Sequence, residues 1–221
     1  MPHSLRVITV AIRITEIFHS IQGETNTIGY PTVFVRLTGC PMRCSYCDTA
    51  YAFHGGSKIA LDDILEQVKQ YNTKHVTVTG GEPLAQPESH DLMKSLCDLG
   101  YHVSLETGGA MDISTVDPRV YIVLDIKTPD SNEEPNNTYA NLEFIKTSDC
   151  LKFVICSEAD YQWSKKFVAD SDLTNHCDVF FSPSAEQLAP TDLADWIVRD
   201  QLAVRFQIQL HKILWQDEAG R

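Results

Sequence analysis

The sequence predicts an α/β fold on a mostly parallel sheet, either an incomplete barrel or an open sheet. Three observations lead there. Short segments rich in β-branched and aromatic residues alternate with amphipathic segments of helical period. The chain has 221 residues, 43% hydrophobic and 22% charged, enough for one domain (1–221) with a real core. Polar clusters follow the strand segments, and a parallel sheet gathers such clusters at its C-terminal edge, where α/β folds carry their chemistry.

Strands are expected at 32–38, 75–79, 102–107, 120–126, 151–156, 178–182 and 204–210. Each is short and bounded by turn-forming residues. Helices are expected after Asp62, where Ile64, Leu65, Val68 and Tyr71 form a stripe, and after Pro87, where Leu92, Met93, Leu96 and Cys97 do. Two more fall over 158–170 and 190–200. Repeated strand–helix–strand units require parallel pairing. The stretch "TPDSNEEPNNT" (128–138) reads as a loop excursion and not a domain boundary, because similar elements continue on both sides. Residues 1–14 are an extra strand or a tail.

The polar clusters are Cys40 after the first strand, "TGGEP" after the second, "ETGG" after the third, "DIKTP" after the fourth, "SPS" after the sixth and "HK" after the last. Side-chain periodicity alone does not require them all to share one edge.

A net charge of -12 argues against a nucleic-acid binder, which needs a basic face. It leaves room for a small anionic substrate held by a few buried cations. No apolar run approaches the roughly 18 residues of a membrane span. The start, "MPHSLRVITVAIR", lacks the order of a signal peptide, so a cytoplasmic protein is expected. Seven cysteines in that setting are not a disulfide framework. Cys97, Cys150, Cys156 and Cys177 lie in apolar stretches and read as buried thiols.

The other three stand in "LTGCPMRCSYCDT" at Cys40, Cys44 and Cys47, a C-x3-C-x2-C spacing framed by Gly39, Pro41 and Asp48. Structural zinc calls for a fourth protein ligand, for which His54 is the nearby candidate. An iron–sulfur cluster held by three thiolates instead keeps one iron open to a substrate or cofactor. The open cluster is the preferred reading.

"CPMRCSYCDT" resembles the cluster loop of radical S-adenosylmethionine enzymes, with Tyr46 at its aromatic position, and "TGGEP" (79–83) resembles their glycine motif. "EIFHSIQGE" (16–24), "GYPTVFVRLTGC" (29–40), "ETGG", "DIKTP" and "QLHK" resemble the 7-carboxy-7-deazaguanine synthase family over nearly the whole chain from about Thr15. The resemblance implies an abbreviated, incomplete (β/α) TIM-like barrel of the radical S-adenosylmethionine type. It implies a carbon–nitrogen lyase of the queuosine pathway. The substrate would be 6-carboxy-5,6,7,8-tetrahydropterin and the products 7-carboxy-7-deazaguanine and ammonia. A 5'-deoxyadenosyl radical takes hydrogen from C6, and ring contraction follows. The implied cofactors are a 4Fe-4S cluster, S-adenosylmethionine and Mg2+. The implied partners are an electron donor such as a flavodoxin and a second copy of the chain.

Residue by residue, the resemblance implies that Cys40, Cys44 and Cys47 hold the cluster and Thr49 ligates Mg2+. Ile21, Gln22, Gly23, Arg36, Thr79 and His211 match substrate contacts; the Arg36 guanidinium suits a carboxylate. Tyr46, Gly81, Asp125, Ile126, Lys127, Ser182, Pro183, Ser184 and Ala185 match the cofactor side. The two glycines of "TGGEP" would let backbone approach the methionine amine. "DIK" replaces the family's frequent Ser-Pro-Lys. Some relatives end soon after "HK" and use the terminal carboxylate on the substrate. This chain runs on to Arg221, leaving Asp217 as the candidate replacement.

Each residue also has a plainer alternative. Gln22 and Glu24 could cap a turn, Arg36 could pair with a core carboxylate such as Glu106, and Thr49 could be a helix N-cap. Glu82 could bond amides of its own loop, Lys127 could be a solvated strand end and His211 a core histidine. Two other functions compete: an activase that installs a glycyl radical on a partner protein, and a non-catalytic zinc or iron–sulfur protein.

Overall fold

The computed structural model describes residues 10–185, 187–216, 218 and 220. Its strands are β1 (Ala11–Ile21), β2 (Pro31–Leu37), β3 (Ser57–Ala60), β4 (His75–Gly80), β5 (His102–Thr107), β6 (Tyr121–Asp125), β7 (Cys150–Ile155), β8 (Asp178–Pro183) and β9 (Arg205–Phe206). Its helices are α1 (Leu61–Lys69), α2 (Ser89–Asp98), α3 (Glu158–Asp170), α4 (Pro190–Arg199) and α5 (Leu210–Trp215). One sheet runs in the order β3-β1-β2-β4-β5-β6-β7-β8-β9. From β2 onward every pair is parallel. β1 is antiparallel to both β2 and β3. The edge strands β3 and β9 do not pair, so the barrel stays open.

The period of two along the strands separates two interiors. Val33, Val35, Leu37, Val76, Val78, Val103, Leu105, Ile122, Leu124, Leu151, Phe153, Ile155, Val179 and Phe181 are buried in the main core, with Ile64, Val68, Leu92, Leu96, Val168, Leu193 and Ile197 of the helices. The alternate residues Phe34, Arg36, Thr79, Glu106, Val123, Asp125, Lys152, Val154 and Ser182 face a cavity on the concave side. The helix stripes at Ile64, Leu65, Val68 and Tyr71 and at Leu92, Met93, Leu96 and Cys97 are core packing.

β1 was not legible as a strand beyond residue 14. Its pairing shifts between Ile14 and Glu16, a β-bulge. Ile12 and Ile14 lie in the core before the shift, and Ile17 packs against that core after it. The extra residue thus moves the even positions to the other face, and Glu16 and Phe18 line the cavity. Unbroken alternation would have pointed the Glu16 carboxylate into the apolar core.

The last strand is a correction. The expected strand 204–210 is two residues long, Arg205–Phe206. Gln207 gives one more sheet-like bond, N to Phe181 O at 3.1 Å, but its side-chain carbonyl accepts from Thr25 N at 2.8 Å. Leu210 N then donates to Gly23 O at 3.1 Å. The chain thus turns off the sheet onto the loop after β1, and "HK" sits in α5. The other expected helices and strands fall within a few residues of expectation; β3 and α5 have no counterpart among them. Cys150, Cys156 and Cys177 are buried, Cys97 is half-buried, and all are free thiols.

Candidate active site

The concave face, the strand-end loops and α5 enclose a cavity of about 630 Å³. It is lined by Cys40, Cys44 and Cys47, by Tyr46 and Thr49, and by Ile21, Gln22, Arg36, Thr79 and His211. Gly81, Asp125, Lys127, Ser182, Pro183, Ser184 and Ala185 complete the expected set on its walls. Two expected residues stand apart. Ile126 is 2% exposed and its side chain belongs to the core. Gly23 backs the His211 ring: a Cβ there would lie 2.2 Å from His211 Nδ1.

The cysteine loop leaves β2 and is held from three sides. Gly39 N donates to Ala52 O at 2.8 Å, and Glu82 N donates to Gly39 O at 2.8 Å. The excursion at 128–138 forms the third side. Ser45 N donates to Ser131 O at 3.0 Å, Ser45 Oγ to Asp130 O at 2.6 Å and Arg43 N to Glu133 Oε1 at 2.5 Å. That excursion is anchored by the fully buried Asp160, which accepts from Thr128 Oγ1 at 2.9 Å, Asp130 N at 3.0 Å and Cys156 N at 3.1 Å. A segment that reads as a plain loop is therefore a clamp.

The glycines of "TGGEP" owe their place to this loop. A Cβ on Gly81 would stand 2.2 Å from Gly39 O and 2.8 Å from Cys40 Cβ; one on Gly80 would stand 2.3 Å from Leu37 O. Gly81 admits the cysteine loop's own backbone, and Gly80 admits the end of β2. Glu82 does what its plainer alternative says and more. Fully buried, it accepts from Leu84 N at 3.0 Å, Gly108 N at 2.8 Å and Thr107 Oγ1 at 2.9 Å. Burial raises its carboxyl above the ordinary range despite these donors.

Several plainer alternatives are corrected. Arg36 pairs with Glu16, Nε to Oε1 at 2.7 Å, and not with Glu106. Tyr51 Oη donates to the same Glu16 oxygen at 2.7 Å, and the Phe18 and Tyr51 rings lie 5.7 and 5.9 Å from the guanidinium carbon. The ion pair engages Nε, which leaves the paired terminal nitrogens of the fork for a second carboxylate. Glu106 instead accepts from Thr79 Oγ1 at 2.9 Å and Gln22 Nε2 at 3.3 Å. Thr49 occupies an N-cap position but makes no side-chain cap bond; its hydroxyl lies 3.7 Å from Cys47 Sγ. Lys127 is 6% exposed, 3.0 Å from Asp125 Oδ2. Burial opposes its charge, but Asp125 holds the ammonium above its ordinary range.

Sequence reasoning missed Lys152, a lysine inside the apolar strand "LKFVIC". It pairs with Glu24 at 2.8 Å, and Gln209 Nε2 donates to the other Glu24 oxygen at 2.7 Å. Burial is the strongest influence on the Glu24 carboxylate and disfavours its charge, but the charge and hydrogen bond of Lys152 together with the Gln209 bond hold the group down to about 2. The one available signal was a charged residue on the cavity face of a buried strand. Lys212 was also missed: it pairs with Asp48 at 3.1 Å and ties α5 to the cysteine loop. Past α5, Gln216, Glu218 and Gly220 line the cavity mouth. Asp217 lies outside the described residues.

Residues 34–138 match the model of the radical S-adenosylmethionine superfamily. A 7-carboxy-7-deazaguanine synthase of Chlorobaculum tepidum is 43% identical over 211 residues, covering 94% of this chain and 96% of that protein. The chain belongs to the 7-carboxy-7-deazaguanine synthase family. A 7-carboxy-7-deazaguanine synthase of Koribacter versatilis is 38% identical over 222 residues, covering 94% of this chain and 98% of its own length. The crystal structure of QueE from Escherichia coli shares the fold, with a TM-score of 0.76 at 21% identity, over 91% of this chain and 95% of that one. These matches place the open sheet among incomplete TIM-like barrels.

Family membership implies a 4Fe-4S cluster and S-adenosylmethionine, and the residues present fit both. The three thiols are half-exposed on one cavity wall, free of disulfides. Burial pushes the Cys44 thiol up to about 11, so the cluster-free chain holds a neutral thiol there that iron would deprotonate. Beside them, Tyr46 Oη and Asp125 Oδ1 are buried without a hydrogen-bond partner among the described residues. Such orphaned groups are what a polar cofactor would satisfy.

Proposed function

We propose that this chain converts 6-carboxy-5,6,7,8-tetrahydropterin to 7-carboxy-7-deazaguanine and ammonia. The single observation that carries the reading is that the three cysteines and the Arg36 guanidinium face one cavity. When bound, the cluster and S-adenosylmethionine supply a carbon-centred radical able to take hydrogen from an unactivated carbon. The protein's own part is to bind, orient and exclude water. Arg36, held by Glu16 and Tyr51, would take the substrate carboxylate through its free fork end. Ile21, Gln22, Thr79 and His211 would bind the pterin; Gln22 and Thr79 are already ordered against Glu106. Tyr46, Gly81, Asp125, Lys127 and the turn at Ser182–Ala185 would receive S-adenosylmethionine, with Ile126 contributing backbone alone. Mg2+ would sit at Thr49, whose hydroxyl lines the cavity and is not spent on a cap.

Two wider proposals accompany this one. A low-potential carrier such as a flavodoxin would supply electrons. The chain would act as a homodimer, a reading supported by the exposed apolar side chains of Phe206, Ile213 and Leu214 at the β9–α5 edge. Among the described residues no helix is long and apolar enough to cross a membrane. A cytoplasmic enzyme acting on a small molecule is the proposed setting.

The test is mass spectrometry of an anaerobic reaction of the reconstituted protein with reductant, S-adenosylmethionine, Mg2+ and the carboxypterin. The deazaguanine should accumulate well beyond the enzyme concentration, and Cys44→Ala should make none. Formation of 5'-deoxyadenosine and methionine alone would retain the radical chemistry and refute the substrate.

A further inference from the structure

We propose that Lys152 is a positioning residue that ties the substrate-side loop at Glu24 to the cofactor-side strand end at Asp125, so that substrate and S-adenosylmethionine each strengthen the other's binding. The inference rests on the function proposed above and adds a residue that the family resemblance did not assign.

Lys152 lies on the cavity face of β7, between the buried Leu151 and Phe153, and its cross-strand neighbour on β6 is Asp125. Its Nζ is 2.8 Å from Glu24 Oε2 and 3.7 Å from Asp125 Oδ2. Glu24 follows the Ile21–Gly23 segment directly, and its amide donates to Gln22 Oε1 at 3.3 Å. Asp125 Oδ2 is also 3.0 Å from Lys127 Nζ, and Asp125 Oδ1 has no partner among the described residues. A single row of alternating groups therefore crosses the cavity: Gln209, Glu24, Lys152, Asp125, Lys127. The side chains of Lys152, Glu24 and Asp125 are 13%, 10% and 15% exposed.

The physical argument is that one ammonium serves two carboxylates from opposite walls. A lysine ends in a compact charge on a flexible four-carbon stem, so its position is set by its partners. In a partly buried setting Glu24 cannot lose that charge cheaply, while Asp125, which keeps Lys127 at 3.0 Å, has the position of its side chain set between the two lysines. A ligand that orders the loop at 22–24 fixes Glu24, and Glu24 fixes Nζ. That in turn sets Asp125 and its unpartnered oxygen for the second ligand. By linkage the effect is reciprocal.

The experiment measures S-adenosylmethionine affinity on anaerobically reconstituted holoenzyme without reductant, with and without saturating 6-carboxytetrahydropterin. Without electrons neither ligand is consumed. Wild type should bind S-adenosylmethionine at least about 5-fold more tightly with the pterin present. Lys152→Arg should keep a substantial part of that ratio. Lys152→Met leaves Glu24 uncompensated and can fail to fold, so the decisive variant is Lys152→Met with Glu24→Gln, which removes both charges. That double variant should hold its cluster, bind each ligand, and show a ratio near 1. A folded double variant with the wild-type ratio would overturn the inference, and so would a wild type that binds both ligands with no cross-effect. A wild type that does not bind the pterin at all would instead refute the proposed substrate and take this inference with it.

Discussion

Two glycine-to-alanine changes test whether the "TGGEP" and "ETGG" turns act as cradles for the cysteine loop. A Cβ at Gly81 would stand 2.2 Å from Gly39 O, 2.6 Å from Gly39 C and 2.8 Å from Cys40 Cβ. The first contact is about 1 Å short of ordinary van der Waals separation. The obstacle is backbone, held by its own bond to Ala52 O and by one from Glu82 N, so it cannot step aside without carrying Cys40 with it. A displacement of about 1 Å at a reacting centre costs on the order of 100-fold in rate. Overpacking of this kind costs about 1–3 kcal/mol in stability. Gly108→Ala meets an overlap of the same size, 2.1 Å, but against Met42 Cε. That methyl ends a flexible thioether chain lining the cavity, so it can swing aside. Gly81→Ala should therefore fold with a lowered melting temperature, assemble a deficient cluster and lose about 100-fold in turnover. Gly108→Ala should keep its cluster and most of its activity. The readouts are iron and sulfide content, the cluster's visible absorbance, thermal melting and product formation. A Gly81→Ala protein with full cluster and wild-type turnover would refute the steric argument; so would equal damage from both changes.

Three further outcomes are expected. Asp160→Ala strips a buried acceptor from Thr128, Asp130 and Cys156 and should cost roughly 2–4 kcal/mol, with faster proteolysis within 128–138 as the specific sign. Arg36→Ala should raise KM for the carboxypterin at least about 10-fold while leaving substrate-independent cleavage of S-adenosylmethionine unchanged, which steady-state assays of the two reactions separate. Glu24 has its folded pKa depressed to about 2 from an ordinary 4.5, so its stabilising pairing is complete above pH 4.5 and is lost as pH falls toward 2. Acid unfolding of Glu24→Gln should accordingly show a shallower loss of stability over that window than wild type, measured by denaturant midpoints at stepped pH.

By itself the sequence determined the order of the parallel strands and of α1 to α4, the parallel sheet edge and the cysteine loop. These are local signals: a hydrophobic period of two or 3.6 residues, a C-x3-C-x2-C spacing, a Gly-Gly turn. Helices α1 to α4 and most parallel strands were legible for that reason, and so was the gathering of Cys40, Thr79, Asp125 and Ser182 at one edge. Only the tertiary structure decided the rest. The bulge between Ile14 and Glu16 reverses the facing of β1, and no residue pattern within that segment announces it. The Lys152–Glu24 pair joins positions 128 apart, and the Ser45–Asp130 bond that docks the excursion joins positions 85 apart. Partners so distant in the chain meet because the sheet curves its concave face around one space. The glycines of the turn made the same point at close range. The turn type permits a glycine, but the necessity of Gly81 comes from the backbone of Gly39 lying against it.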